Sequence, residues 1–141
     1  MSLSLYREDP GERIDAQQVR RTLVMFRDEP TRGRAVVAEL GRAVIGYALL
    51  VSFWSNEYGG EICVIDELYV APANRSQGIA TKLISSIEPD RSLWPRCPVA
   101  IALEVTPGNS QARALYERLG FRSKNQTLRR REQSSGSNPN P

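Results

Sequence analysis

The sequence predicts a mixed α/β (α+β) fold, in which helices flank a single β-sheet. Its first half reads as three strands in a row joined by short turns, as in an antiparallel sheet. Its second half alternates strand, helix, strand, helix, an order that requires a parallel strand pair joined by a right-handed crossover. A length of 141 residues is enough for one such domain and too short for two.

The elements of the first half are predicted from periodicity and turn residues. Val19, Leu23 and Phe26 recur at helical spacing after Asp15, which is a suitable N-cap residue. The pair Gly41-Arg42 separates two strand-like runs and predicts a hairpin. We therefore expect a strand at residues 3–6, a helix from Asp15 that ends before Pro30, strands at 35–40 and 43–53, a turn-rich loop at 55–60 and a strand at 62–70.

The second half is predicted to hold two helices and one buried strand. Residues 99–105 form a nearly continuous apolar run, as in strands that are covered on both faces. We expect a helix from Gly78 to about Ile87 that stops before Pro89, a strand at 99–105, and a helix from Asn109 or Ser110 to Leu119 that Gly120 closes.

The most informative count is that of histidine, which is zero. Its absence excludes Ser-His-Asp and Cys-His nucleophilic machinery, HExxH metal sites and histidine general bases. Carboxylates, tyrosines, lysines and backbone groups remain for acid–base work. Cys63 and Cys97 are too far apart for a CxxC motif or a zinc cluster, and we expect each to be a small buried side chain and no metal to be bound.

Charge is unevenly distributed along the chain. From residue 122 onward there are five basic residues and one acidic residue, so this tail carries +4, and the net charge of +3 leaves −1 for the rest. We expect a domain at residues 1–122 and a polar basic tail at 123–141, largely disordered after about residue 132. The folded part is not itself basic, so we expect no nucleic-acid partner.

Membrane insertion and export are not predicted. The longest nearly apolar stretch spans the twelve residues 43–54, and a bilayer needs roughly 20. The first residues lack a charged region followed by an apolar one, so we expect a cytoplasmic protein.

An anion site is expected where the strand at 62–70 leads into the next helix. The first N–H groups of a helix have no partner within it, and the positive end of the helix dipole adds to their field. Gly78 and Ala80 are small enough for a phosphate oxygen to approach the backbone, and Arg75 could add a charge-assisted bond. A plain helix start with a tightly packed glycine explains the segment equally well.

Three motifs together resemble the GNAT superfamily of acetyl-CoA-dependent N-acetyltransferases. The signature R/Q-x-x-G-x-G/A is met at residues 75–80, directly after an acid-bearing strand that ends in aromatic-Val-x-Pro at 65–72. A helix of the form Asn-x-x-Ala-x-x-Leu-Tyr-x-x-x-Gly-Phe follows at 109–121. The three motifs have the order and spacing of the family, and the resemblance covers roughly residues 35–121.

The resemblance implies a centrally splayed sheet, with acetyl-CoA as co-substrate lying where two strands part. Backbone groups of the acid-bearing strand would bond the pantetheine arm like an added strand, and amides of the glycine loop would hold the pyrophosphate. The cofactor-binding residues implied are Leu68, Tyr69, Val70, Arg75, Ser76, Gln77, Gly78, Ile79, Ala80, Thr81, Asn109 and Ala112. Asn109 could instead only cap its helix.

Acetyl transfer needs a neutral amine, so a base must take a proton from an ammonium group whose pKa is near 10.4. Asp66 and Glu67 are the available carboxylates, and adjacent strand residues face opposite ways unless a bulge intervenes. In a regular strand Asp66 would face the same side as Leu68 and Val70, which lie two and four residues later. It also stands at the position of a frequent GNAT carboxylate, so it is the preferred base.

Tyr116 matches the GNAT tyrosine that protonates the leaving thiolate, although the same ring could simply pack on the sheet. Glu57 and Glu104 are weaker candidates for binding a cationic acceptor, and the preferred interpretation of Glu57 is a solvated loop charge.

The leading hypothesis is therefore direct transfer of an acetyl group to a primary amine on a small molecule or peptide. The alternatives are a CoA-binding regulatory module without turnover and an interaction protein that works through its basic tail. The chain departs from the family in two places: one helix lies between the first two strands where many members have two, and the segment 122–128 is unusually polar for a final strand. The acceptor is left open, and the sequence is compatible with a homodimer.

Overall fold

A computed structural model describes residues 14–87, 97–124 and 128–130. It confirms a mixed α/β fold, with a four-stranded sheet in the order β1-β2-β3-β4 and helices on its faces. The elements are α1 (Ala16–Asp28), β1 (Gly33–Leu40), β2 (Ala43–Ser55), β3 (Gly60–Val70), a 3₁₀ turn (Pro72–Asn74), α2 (Ile79–Ser85), β4 (Ala100–Leu103) and α3 (Ser110–Arg118). The strand predicted at residues 3–6, Pro89 and the tail after residue 132 lie outside the described residues.

Helix α1 begins as predicted, at a capping box. The Asp15 carboxylate accepts from the Gln18 N–H at 2.7 Å, and the Gln18 side chain accepts from the Asp15 N–H at 2.8 Å. Phe26 is buried against the sheet, but Leu23 on the same predicted face is 45% exposed. The apolar face of α1 is therefore only partly covered by the described residues.

Strand β3 is packed on both faces. Alternate side chains of a strand point to opposite sides, so neighbouring residues of β2 and β3 contribute to two apolar layers. The layer under α1 contains Phe26, Tyr47, Leu49 and Tyr69. The layer under α2 and α3 is built on Ala48, Leu50, Cys63, Ile65, Ile84 and Ile87, with Leu50 and Cys63 fully buried. Packing on both sides holds in place the strand that carries the candidate carboxylates.

The three antiparallel strands and the parallel pair are confirmed, but β4 is shorter than predicted. It spans Ala100–Leu103 instead of residues 99–105, and it pairs with residues 62–65 of β3. Strand β3 continues for five further residues, to Val70, without β4 beside it. The sheet therefore opens between these two strands, as the resemblance implied.

Residues 121–124 and 128–130 form no helix or strand, so the described part of the segment at 122–128 contributes no strand to the sheet. Among the described residues, no helix has the length and apolar character needed to span a membrane.

Close packing of α1 on the sheet predicts a strong effect of Gly33→Ala. A Cβ at Gly33 would lie 2.3 Å from Phe26 Cε1 and 2.5 Å from the Leu50 carbonyl oxygen, and a backbone oxygen cannot easily move. We expect a loss of about 1–3 kcal/mol in the free energy of unfolding, measured in urea. Gly108→Ala is the control, because no atom lies within 4 Å of its Cβ position. Equal urea midpoints of unfolding for Gly33→Ala and Gly108→Ala would contradict the tight contact at Gly33.

Candidate active site

The candidate site lies where β3 and β4 part. The last pair between these strands is Ile65 with Leu103, whereas pairing of β3 with β2 continues to Val70. Beyond Ile65, one edge of β3 is bonded to β2 and no described strand pairs with the other edge. This is the edge at which the predicted residues Leu68, Tyr69 and Val70 lie.

A β-bulge occurs in β3 at the start of this open stretch. On β2, Leu49 and Leu50 are adjacent, but their partners on β3 are Glu67 and Ile65, so Asp66 has no partner of its own. The prediction from strict alternation, that Asp66 shares a face with Leu68 and Val70, is therefore wrong at this point. The extra residue breaks the alternation between Ile65 and Glu67.

The bulge gives the two neighbouring carboxylates different surroundings. Glu67 is buried, at 7% exposure, and its Oε2 accepts a hydrogen bond of 2.8 Å from the Tyr47 hydroxyl. The Tyr47 ring is itself buried and lies 5.9 Å from the ring of Tyr69. Asp66, in contrast, is exposed. Asp66 is thus open to a substrate, whereas Glu67 is built into the layer under α1.

Although the Asp66 residue is exposed, its carboxyl group is partly desolvated where it sits. Desolvation is the main cause of the raised pKa of Asp66. The negative charge of Glu67 raises this pKa further. Arg129 opposes the rise, and Glu104 adds to it weakly. A raised pKa makes the ionised Asp66 a stronger base than an ordinary aspartate.

Tyr47 is the residue that the sequence analysis missed. It pairs with Tyr69 across β2 and β3, two positions from the Leu49–Glu67 pair and on the same face of the sheet. Its hydroxyl reaches Glu67 because of this register and the bulge. A tyrosine within the otherwise non-aromatic run at residues 43–51 was the available signal, but the sequence does not specify its partner.

The loop that follows β3 has the backbone of an anion site. After the 3₁₀ turn, Ser76 has φ +60° and Gly78 has φ +78°, both left-handed, and α2 begins at Ile79. A Cβ at Gly78 would meet no protein atom within 4 Å, so there is room in front of this backbone. The residues therefore fit a phosphate group held by the amides at the start of α2. Gln77, Ala80 and Thr81 lie in the same loop and first turn.

Arg75 ties this loop to the end of β3. Its Nε donates to the Val70 carbonyl oxygen at 2.8 Å, and its guanidinium carbon lies 5.6 Å from the centre of the Tyr69 ring. Both contacts hold the guanidinium against β3. These contacts place Arg75 beside the open edge of β3, and a bond from Arg75 to a phosphate stays a prediction.

Two further predicted residues lie on α3. The Asn109 side chain accepts from the Ala112 N–H at 3.1 Å, so it caps the helix. Tyr116 is half-buried against the layer under α2 and α3, with its ring edge-on to Phe121 at 5.9 Å. Burial raises the pKa of Tyr116, which keeps its hydroxyl protonated to higher pH.

A groove of about 1330 Å³ is lined by β4 and the residues after it, by α3 and by residues 119–124. Glu104 and Tyr116 both face this groove. None of its lining residues comes from the glycine loop or from the bulge. The groove is therefore not the predicted phosphate site, although it shares two of the candidate residues.

Glu57 and Glu104, the weaker candidates for binding the acceptor, both form ion pairs with residues that follow α3. Glu57 contacts the Lys124 ammonium group, which also lies 5.1 Å from the centre of the Tyr58 ring. The Glu104 carboxylate is 2.5 Å from Arg129 Nη2. Because these side chains are exposed, each pair contributes little stability and a competing cation can displace it.

The two cysteines differ, and the prediction that both are buried is wrong for Cys97. Cys63 is fully buried, and burial raises the pKa of its thiol to about 12, so it is not a nucleophile at neutral pH. Cys97 is exposed and lies just before the start of β4. Within residues 14–87, 97–124 and 128–130, no group of side chains could hold a metal ion.

Comparison with a family model gives a match over most of the chain. The model of the Acetyltransferase (GNAT) family matches residues 3–121. No curated protein sequence matches the chain.

Solved structures share the fold at low sequence identity. A possible acetyltransferase from Clostridium difficile 630 is 21% identical, with 94% of this chain and 87% of that chain covered and a TM-score of 0.74. The aminoglycoside N-acetyltransferase AAC(6')-Iy in complex with CoA is 18% identical, with 84% and 93% covered and a TM-score of 0.62. A ribosomal-protein-alanine N-acetyltransferase from Brucella melitensis biovar Abortus 2308 is 19% identical, with 74% and 73% covered and a TM-score of 0.56.

The raised pKa of Asp66 predicts that Asp66→Asn stabilises the fold at neutral pH. The folded state binds a proton at Asp66 more tightly than the unfolded chain does. Its stabilising effect is therefore full below the ordinary aspartate pKa of about 3.9 and is lost as pH rises through the folded value. Asparagine is neutral at every pH and avoids this loss.

We expect the Tm of Asp66→Asn to exceed that of the parent at pH 7 and the difference to shrink as the pH approaches about 4. Differential scanning fluorimetry over this range measures it. Glu117→Gln, at an exposed position of α3, is the matched control and should give no such gain. A lower Tm for Asp66→Asn at pH 7 would contradict the desolvation of its carboxyl group.

Proposed function

The chain belongs to the GNAT acetyltransferase family, and we propose that it moves an acetyl group from acetyl-CoA to a primary amine by direct attack of the amine. One observation supports this most directly: β3 presents the exposed Asp66 where β3 and β4 separate, and a 3₁₀ turn after β3 leads into the left-handed loop at Gly78. A proton acceptor and an anion cradle thus stand at either end of one open strand edge.

Acetyl-CoA supplies the activated acetyl group as a thioester. In this proposal the amides from Gln77 to Thr81 hold its phosphates, with room left by Gly78. Backbone groups of Leu68, Tyr69 and Val70 bond its pantetheine arm along the open edge of β3.

Asp66 is the proposed base, in preference to Glu67. It is exposed, whereas Glu67 is buried and bonded to Tyr47. A carboxylate whose pKa is raised accepts a proton more readily from an ammonium group, which has an ordinary pKa of about 10.4. The proton leaves the amine before or as the new C–N bond forms, so the attacking nitrogen has its lone pair.

Tyr116 is the proposed acid for the departing thiolate. Its hydroxyl is protonated at neutral pH, because the ordinary tyrosine pKa is about 10 and burial raises the pKa of Tyr116 further, so a proton is available to donate. Burial of Cys63, with a thiol pKa of about 12, supports direct attack over a covalent acyl-cysteine at that position. We propose a cytoplasmic enzyme, consistent with two free cysteines.

A cationic acceptor is favoured by the acidic groups around Asp66. Glu104 interacts electrostatically with Asp66 and is held by Arg129, an exposed contact that a substrate cation can replace. Glu57 forms a similar exposed ion pair with Lys124. We therefore propose that the acceptor is a small-molecule or peptide amine with a positive charge.

Binding of CoA is expected to raise the Tm of the parent protein. A ligand that binds only the folded state increases the free energy of unfolding by RT ln(1 + [L]/Kd), which is about 2.7 kcal/mol when the ligand concentration is 100 times Kd. Gly78→Val should abolish this shift, because its side chain fills the space in front of the loop. The variant is also strained, since Gly78 has φ +78°. Gly41→Val is the control, because Gly41 has φ +62°, has equal open space and lies in the β1–β2 turn.

Both glycine variants should lose comparable stability, but only Gly41→Val should keep the CoA shift. Thermal-shift titration with CoA and acetyl-CoA measures both effects. A full CoA shift in Gly78→Val would mean that the phosphates bind elsewhere.

Turnover is expected with acetyl-CoA and at least one amine from a panel of polyamines, aminoglycosides, amino acids and peptides, measured as free thiol release. Asp66→Asn should lower kcat/KM by roughly 10²- to 10⁴-fold and Glu67→Gln by less, with acetyl-CoA affinity retained in both. Because Cys97 is exposed, Cys97→Ser removes the background reaction of the protein with the thiol reagent. CoA binding without turnover on any amine would favour the regulatory module instead.

Tyr116→Phe tests the acid. It keeps the ring and its packing on Phe121, so the fold should survive. Proton donation is needed only as the C–S bond breaks, so kcat and kcat/KM should fall together, by roughly 10- to 10⁴-fold. Activity within about a factor of two of the parent at pH 7 would leave Tyr116 as a packing residue.

A further inference from the structure

The buried hydrogen-bonded pair Tyr47–Glu67 adjoins the exposed Asp66, because Glu67 follows Asp66 in β3. Both residues are 7% exposed, and their hydrogen bond is 2.8 Å long. A buried carboxylate is costly to desolvate, and a hydrogen bond offsets only part of that cost. Its position next to the proposed base suggests a role in the site.

We propose that Tyr47 and Glu67 are positioning residues for Asp66: the Tyr47 hydroxyl holds the Glu67 carboxylate at the bulge, and this fixed negative charge makes Asp66 the better proton acceptor. The inference rests on the proposed function for its link to catalysis. Glu67 itself does not touch the substrate in this scheme.

The bulge is what brings the two carboxylates together. In a regular strand, adjacent side chains point to opposite faces and are separated by the sheet. Here Ile65 and Glu67 pair with the adjacent residues Leu50 and Leu49, so Asp66 is the extra residue and the alternation is interrupted there. The negative charge of Glu67 acts on Asp66 and raises its pKa.

Tyr47 fixes the place of that charge. Its ring is packed in the layer with Phe26 and Tyr69, so the hydroxyl position is determined by the sheet and by α1. A tyrosine ring has few rotatable bonds, which makes it a rigid support for the carboxylate. Without the hydroxyl, the Glu67 carboxylate loses this hydrogen-bond donor.

Three charged groups act on Asp66 in the described structure. Glu67 comes from β3 itself, Glu104 from the segment after β4, and Arg129 from the chain after α3. Glu104 and Arg129 form an ion pair with each other, so their fields largely oppose. Glu67 is the one of the three that is buried and held by an interior side chain.

The experiment is a ¹³C NMR titration of the side-chain carboxyl groups in the full chain, with the Asp66 signal assigned from its loss in Asp66→Asn. Glu67→Gln and Tyr47→Phe should each move the Asp66 pKa down, toward the ordinary aspartate value. The double variant should go no lower than Glu67→Gln alone, since Tyr47 acts through Glu67. Glu61→Gln, which removes a carboxylate from the far end of β3, should leave the Asp66 pKa unchanged.

Unchanged Asp66 titration in both single variants overturns the proposal, and so does a double variant in which the two shifts simply add. Tyr47→Phe keeps the ring and remains informative if Glu67→Gln fails to fold. None of these outcomes depends on catalytic activity.

The acidic limb of the pH profile of kcat/KM provides the link to catalysis. It should move to lower pH in Tyr47→Phe and Glu67→Gln in parallel with the NMR shift, which a merely structural pair would not cause. An NMR shift without movement of the profile supports the coupling but shows that Asp66 is not the base. Absence of turnover in the parent contradicts the proposed function, and the NMR titration still decides the proposal.

Discussion

Hydrogen bonding along β3 is the constraint on which the rest of the site depends. Strand β3 stays paired with β2 over its whole length but with β4 only over residues 62–65. The change from two paired edges to one coincides with the bulge at Asp66, where an extra residue is left without a partner on β2. The same few residues therefore open the sheet, bring two carboxylates together and leave one of them exposed.

Packing on both faces makes this irregular strand rigid. The residues on either side of the bulge, Ile65 and Glu67, belong to opposite layers, one under α2 and α3 and the other under α1. A strand held in this way cannot slip by one residue without moving its apolar side chains to the wrong face. Groups on such a strand are better positioned than groups on a loop, which suits a proton acceptor whose geometry must be maintained.

The chain after α3 contributes charge and not strand structure to the described fold. Lys124 pairs with Glu57 before β3, and Arg129 pairs with Glu104 after β4. These exposed contacts partly neutralise the acidic side of the site, and salt or a competing cation weakens them. A deletion of residues 123–141 would therefore alter the charge of the site as well as remove the tail, which limits its use as a test of the tail alone.

Sequence patterns were sufficient for most of the fold, because periodicity, capping and turn residues are local. Asp15, Gly41 and Asn109 each specify a helix start or turn through contacts within a few residues. The glycine loop was likewise visible in its residue types, and the left-handed Gly78 agrees with it. Asp66 and Glu67 were found as a pair, but strict alternation assigned their faces wrongly.

Only the tertiary structure decided what distinguishes the two carboxylates. The bulge depends on the pairing of β2 with β3, between residues 15 and 18 positions apart along the chain. The bond from Tyr47 to Glu67 likewise joins residues 20 positions apart. The exposure of Cys97 depends in the same way on where β4 begins. Local sequence specifies which residues can form a strand or a cap, but burial and charge at each carboxylate arise from neighbours that the fold brings together.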